Sequence, residues 1–144
     1  MIKRKIDIHS RPSPEDMKIL EVLYNSKKFN ELEIKTTKLI KKHPNAAPLL
    51  NILGFALHKQ GHLETAAKNY EQAISINPKF IFAHNNLGNV FKDLGKFNKA
   101  LSQYQHSIKL NPNYAEAYYN QGLVYKKIHQ YNESIKSFQY ALKI

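Results

Sequence analysis

The sequence predicts an all-α protein, a right-handed solenoid of antiparallel helix pairs. Three observations lead there. A glycine recurs at one constant step, at Gly54, Gly88 and Gly122, and self-similarity at a fixed period of this size marks stacked repeat units. Within one period the apolar residues fall at helical spacing in two runs: Leu50, Leu53 and Leu57 share one face, and Leu63, Ala66, Ala67, Tyr70 and Ala73 share another. Gly61 and Gly95 separate the runs, while Pro44, Pro78 and Pro112 follow the second, so each period reads helix, turn, helix, stop.

Taken in order, the chain starts with a basic arm, 1–12, holding Lys3, Arg4, Lys5 and Arg11 and read as flexible. A divergent repeat follows at 13–46, then regular repeats at 47–80, 81–114 and 115–144. In the first, Leu20, Leu23, Phe29, Leu32 and Pro44 are in phase. Leu20, however, stands in the glycine column and Thr36 in the aromatic one, so this repeat is read as a cap. In each later repeat a helix of about 13 residues, roughly 20 Å long, turns into a second. Gly54, Gly88 and Gly122 are expected to face the small Ala66, Ala100 and Ser134, letting the two backbones approach. Tyr70, Tyr104 and Phe138 are expected to reach toward the next pair. His129 stands where the fourth turn calls for glycine.

Leu87, Gly88, Phe91, Ala100, Tyr104 and Pro112 match the pattern W-x2-L-G-x2-Y, A-x3-F, P, with Leu50, His84 and Tyr118 in the tryptophan column. On these residues the chain resembles the tetratricopeptide repeat family over residues 13–144. The resemblance implies a protein-interaction scaffold that holds an extended peptide or a partner helix in a concave groove lined by the first helices.

Composition narrows the function further. The chain carries 22 Lys and Arg against 11 Asp and Glu, a net charge of +11 over 144 residues. The excess is spread, with 11 basic and 6 acidic side chains in residues 1–46 and 11 and 5 in 47–144. Nucleic acid is therefore the weaker reading, below an acidic peptide or protein. The absence of cysteine removes disulfides, thiolate metal sites and thiol nucleophiles. No run of 18 apolar residues or secretory leader occurs, which reads as a cytoplasmic chain without a membrane span. His58 and His62 flank Gly61 and share no helical face, so no metal site is expected. No phosphate-binding glycine loop or nucleophilic constellation is present, and neither catalysis, a cofactor nor a small-molecule substrate is expected.

The candidate binding residues are the columns on the first helices. Tyr24, His58, Lys92 and Lys126 form a basic column with Lys127 beside it, suited to carboxylates. Asn86 and Asn120, flanked by Asn85 and Asn89, offer amides to a peptide backbone and look like the asparagine ladder of glycosyltransferase repeats, though Ile52 interrupts it. Asn51, Asn85 and Tyr119 form another column, and Phe55, Asn89 and Leu123 one more; Phe55, Tyr119 and Leu123 are expected to give an apolar floor. Glu116 and Asn120 stand where chaperone-binding members carry paired basic residues, which disfavours a chaperone-tail role. The alternatives to a scaffold are the substrate-recognition region of a larger transferase and an RNA-binding helical repeat. At the end of the last repeat Tyr131, Ile135, Phe138, Ala141 and Leu142 await a cover, expected from a second copy of the chain or from a longer protein.

Overall fold

The structure, a computed structural model, describes residues 11–144, and every element in it is α-helical. The helices are α1 (Pro14–Asn25), α2 (Phe29–Lys42), α3 (Ala47–Lys59), α4 (Leu63–Ile76), α5 (Ile81–Asp93), α6 (Phe97–Leu110), α7 (Ala115–Lys127) and α8 (Tyr131–Lys143). They group into two compact units, one running through Pro78 and the other covering Lys79–Ile144. Of the predicted basic arm only Arg11 and Pro12 belong to the described residues.

In the first unit α1 packs on α2, α2 on α3 and α3 on α4. Ser13 caps α1: its hydroxyl oxygen accepts the Asp16 N–H at 3.0 Å and its O–H reaches the Asp16 carboxylate at 2.9 Å. Lys35 on α2 pairs with that same carboxylate at 3.0 Å, and the two contacts hold the Asp16 carboxyl below its ordinary pKa. Leu20, Leu32, Leu39, Leu49 and Ala56 form the buried cluster, with Met17, Leu23, Phe29 and Phe55 at its edge. The divergence of the first repeat now has a physical reason. Leu20 fills the column that is glycine elsewhere, while Thr36 leaves space where the others carry a ring. The bulk moves from the second helix to the first, and both residues stay buried.

In the second unit α5 pairs with α6 and α7 with α8, and α7 packs on both α6 and α5. The glycine of each regular pair meets more than the small residue expected opposite it. The aromatic ring of each regular pair also packs on that pair itself. A Cβ built on Gly54, Gly88 or Gly122 would lie 2.8, 2.5 or 2.7 Å from the Cε1 of Tyr70, Tyr104 or Phe138, so each ring lies flat on the glycine of its own pair. The small residue matters as well, but in the fourth repeat through a hydrogen bond: the Ser134 hydroxyl donates to the Gly122 carbonyl at 2.9 Å.

The turns obey one rule. Lys27, Gly61, Gly95 and His129, which occupy one column of the repeat, have φ of 56, 83, 70 and 63°. This left-handed position follows the first helix in every repeat, and two of the four turns adopt it without glycine. Among the described residues no helix is long and apolar enough to cross a membrane.

Candidate functional site

The sequence-predicted residues divide according to where the two units place them. In the second unit, the N-terminal halves of α5 and α7 are tied by a polar network. Asn85 is fully buried. Its amide nitrogen donates to the Glu116 carboxylate at 2.9 Å and lies 3.4 Å from the Tyr114 hydroxyl. Its carbonyl oxygen accepts from the Asn120 amide at 3.1 Å, and the Tyr114 hydroxyl donates to the other Glu116 oxygen at 3.0 Å. Asn85 and Asn120 were expected to meet a peptide backbone. Both instead point inward and satisfy one another, because a buried amide left unpaired costs about 1–3 kcal/mol. Asn120 therefore pairs with Asn85, one position away from the ladder partner Asn86.

What remains accessible on this unit is a stripe. Asn86, Asn89 and Lys92 descend α5 at three-residue spacing and are half-buried; Leu123 and Lys126 occupy the equivalent positions on α7 as Asn89 and Lys92 do on α5, with Lys127 adjacent. The Asn89 carbonyl oxygen accepts the buried Tyr104 hydroxyl at 2.8 Å, which orients the amide and leaves its nitrogen to donate outward. Lys126 and Lys127 are exposed, and among the described residues no carboxylate pairs with them or with Lys92.

Tyr119 does not join that stripe. It lies against Phe138 with ring centroids 5.6 Å apart and, together with Ala115, Glu116, Ala141 and Leu142, lines an open cleft of about 550 Å³ on the α7–α8 pair. Phe55, the third member of the expected apolar floor, is packed in the first unit between Tyr24 at 4.4 Å and Phe29 at 5.9 Å, with the Lys59 ammonium 5.2 Å above its ring. Asn51, Phe55 and His58 share one stripe of α3 by their spacing, and all three are half-buried.

The sequence reading missed two arrangements. His84 stacks on His106 at 5.4 Å with rings 8° from parallel, and at the equivalent positions of the next repeat Tyr118 stacks on Tyr140 at the same distance. His84 is fixed further by a 2.8 Å contact between its Nδ1 and the Gln103 side-chain oxygen. The signal was available, since in both repeats the tryptophan column is followed, at the same offset, by a second flat ring. Gly95, Lys96, Phe97, Asn98, Lys99 and Ile128 line a second depression of about 440 Å³ beside the α5–α6 turn. Among the described residues the Tyr70 and Tyr104 hydroxyls have strongly raised pKa values, chiefly through burial. Among the described residues no three His, Asp or Glu side chains come together as a metal would require.

Comparison with known proteins agrees with this architecture. A family model described as TPR repeat matches residues 54–95 and 88–128, and one described as tetratricopeptide repeat matches residues 115–144. Uncharacterized protein ycf37 of Pyropia yezoensis is 32% identical over 76 residues, 53% of this chain and 40% of that protein. The protein of the same name from Porphyra purpurea is 34% identical over 67 residues, 44% of this chain and 39% of its own length. The chain thus spans about two fifths of the curated relatives it matches. Of solved structures, MamA superposes with a TM-score of 0.80 at 25% identity, covering 89% of this chain and 75% of that one. YrrB, described as a TPR protein with an unusual peptide-binding site, gives 0.76 at 20% identity over 89% of this chain and 66% of its own.

Proposed function

Because the chain belongs to the tetratricopeptide repeat family, we propose that it is a non-catalytic scaffold whose first helices hold a segment of another protein, preferentially an acidic one. The α5–α7 stripe supports this most directly. It offers an amide donor at Asn89 with the half-buried Asn86 beside it, an apolar contact at Leu123, and three ammonium groups at Lys92, Lys126 and Lys127 without a carboxylate partner among the described residues. An extended peptide uses such a surface by pairing its backbone with amides and its side-chain carboxylates with lysines. A peptide-binding site on another protein of this fold, YrrB, is consistent with that use. Ile52, Phe55 and His58 on α3 are the corresponding positions of the first unit, and Asn51 corresponds to the buried Asn85.

The test is the affinity of a fluorescent, Asp- and Glu-rich peptide for the wild-type chain and for the double variant Lys92→Glu, Lys126→Glu. Each exposed pair contributes up to about 1 kcal/mol, so the double reversal is expected to weaken binding about tenfold or more, with no change in thermal unfolding. Equal affinity for both proteins removes the lysine stripe from the account. Preference for single-stranded RNA, with a steep salt dependence, replaces the protein partner by a nucleic acid.

A further inference from the structure

We infer that the chain associates head to tail with itself, α1 of one copy seating in the cleft formed by the α7–α8 pair of another. The two surfaces are complementary because each shows, at one end of the described helices, what the repeats bury between them. Three columns of the first helix face the preceding pair. They read Leu49, Leu53 and Ala56 on α3 and Ala117, Gln121 and Val124 on α7; Leu49, Ala56, Ala117, Gln121 and Val124 are all buried, Leu49 and Ala56 within the cluster built by Leu32 and Leu39 of α2. The same columns on α1 read Glu15, Ile19 and Val22, and there Ile19 is 39% and Val22 56% exposed.

The receiving surface follows the same logic. Leu39 and Ile40 of α2 pack in the cluster that holds Leu49 and Ala56 of α3, Thr36 is buried, and the equivalents of Thr36 and Leu39 on α6, Tyr104 and Ser107, are fully buried in the second unit. Their equivalents on α8 are Phe138, Ala141 and Leu142, which line the open cleft, with Leu142 at 87% exposure. An incoming α1 placed as α7 sits on α5–α6 brings Ile19 and Val22 onto this apolar lining. One charge contact supports the pairing as well. Lys18 falls where Asn120 reaches Asn85 on the equivalent pair; in the cleft the residue equivalent to Asn85 is Tyr119, and the lining charge is the Glu116 carboxylate. The ammonium of Lys18 thus meets a ring face and a carboxylate. Such a contact joins different surfaces on the two copies, so each copy can take a neighbour at both surfaces and association runs beyond a dimer, into an open chain or a closed ring. It is independent of the lysine stripe proposed for partner binding.

The test is sedimentation velocity on the full chain over about a hundredfold range of concentration, with Val22→Glu and Leu142→Glu as single variants. Both positions are exposed, so the fold tolerates the changes. The wild type is expected to grow in mass with concentration beyond a dimer, and each variant alone to be monomeric, its association weakened at least about tenfold. An equimolar mixture of the two variants is expected to form a discrete dimer, since one keeps an intact α1 and the other an intact cleft. A wild type that stays monomeric throughout overturns the inference and leaves the cleft to a helix from elsewhere. Undiminished association of Val22→Glu overturns it in favour of a two-fold contact between clefts, and a mixture that remains monomeric refutes the pairing of these two surfaces.

Discussion

Replacing Gly88 by alanine sets two opposed effects of known size against each other. A Cβ there would lie 2.5 Å from Cε1, 2.8 Å from Cδ1 and 3.0 Å from Cζ of Tyr104. Carbon atoms in contact prefer about 3.5–4.0 Å, so the ring must retreat by about 1 Å. Tyr104 has nowhere to go: it is fully buried, and its hydroxyl is committed to Asn89. Overpacking of this kind costs about 1–3 kcal/mol, and disturbing the hydrogen bond adds about 1 kcal/mol. Alanine in a helix interior recovers about 1 kcal/mol relative to glycine. The net expectation is a loss of about 1–3 kcal/mol, localised to the second unit. Gly122→Ala is the internal control. Its clash with Phe138 begins at 2.7 Å, but that ring is half-exposed and carries no hydroxyl, so it can turn aside and the helix gain nearly cancels the cost. Urea unfolding followed by circular dichroism ranks the variants, and amide exchange in α5 and α6 locates the loss, which matters because repeat proteins need not unfold in one step. A Gly88→Ala protein as stable as the wild type, or one less perturbed than Gly122→Ala, would refute the account of the ring on the glycine.

Two further substitutions test single contacts. The Tyr70 hydroxyl is buried without a hydrogen-bond partner among the described residues, whereas that of Tyr104 donates to Asn89; Tyr70→Phe is therefore expected to leave stability unchanged or raised by up to about 1 kcal/mol, and Tyr104→Phe to lower it by about 1 kcal/mol. The reverse order in the same urea titrations would mean that the hydroxyls are satisfied differently. His129 holds a φ of 63°, which disfavours a side chain, so His129→Gly is expected to gain a few tenths to about 1 kcal/mol despite the exposed contact to Tyr131. A fall in the melting temperature of that variant would show that the Tyr131 contact outweighs the backbone strain.

Much of the fold was legible because a fixed period places every equivalent residue in one column. The glycines at 61 and 95 and the prolines at 44, 78 and 112 located the helix boundaries within a residue or two. The left-handed turn at Lys27 was not legible, since lysine carries no mark of positive φ; only its place in the column of Gly61, Gly95 and His129 betrays it. The candidate site was less legible. A period says which residues are equivalent, while the rotation of each helix decides which neighbour a side chain meets. Successive residues turn through about 100°, so Asn85 goes inward while Asn86 remains half-exposed, and Tyr119 lines the terminal cleft while Asn120 joins the network.

Local propensity and periodic burial act over a few residues at a time, and they suffice to specify the repeated helix pair, its length, its turns and the columns of glycine and aromatic residues. Packing in three dimensions was needed to lay the aromatic of each regular pair on its own glycine, to exchange bulk between Leu20 and Thr36 in the first pair, and to select which asparagines are consumed internally. Those outcomes depend on partners brought together from elsewhere in the chain. Asn85 finds Glu116 and Asn120 at separations of 31 and 35 residues, and a buried amide takes whichever partner the packed helices place within reach.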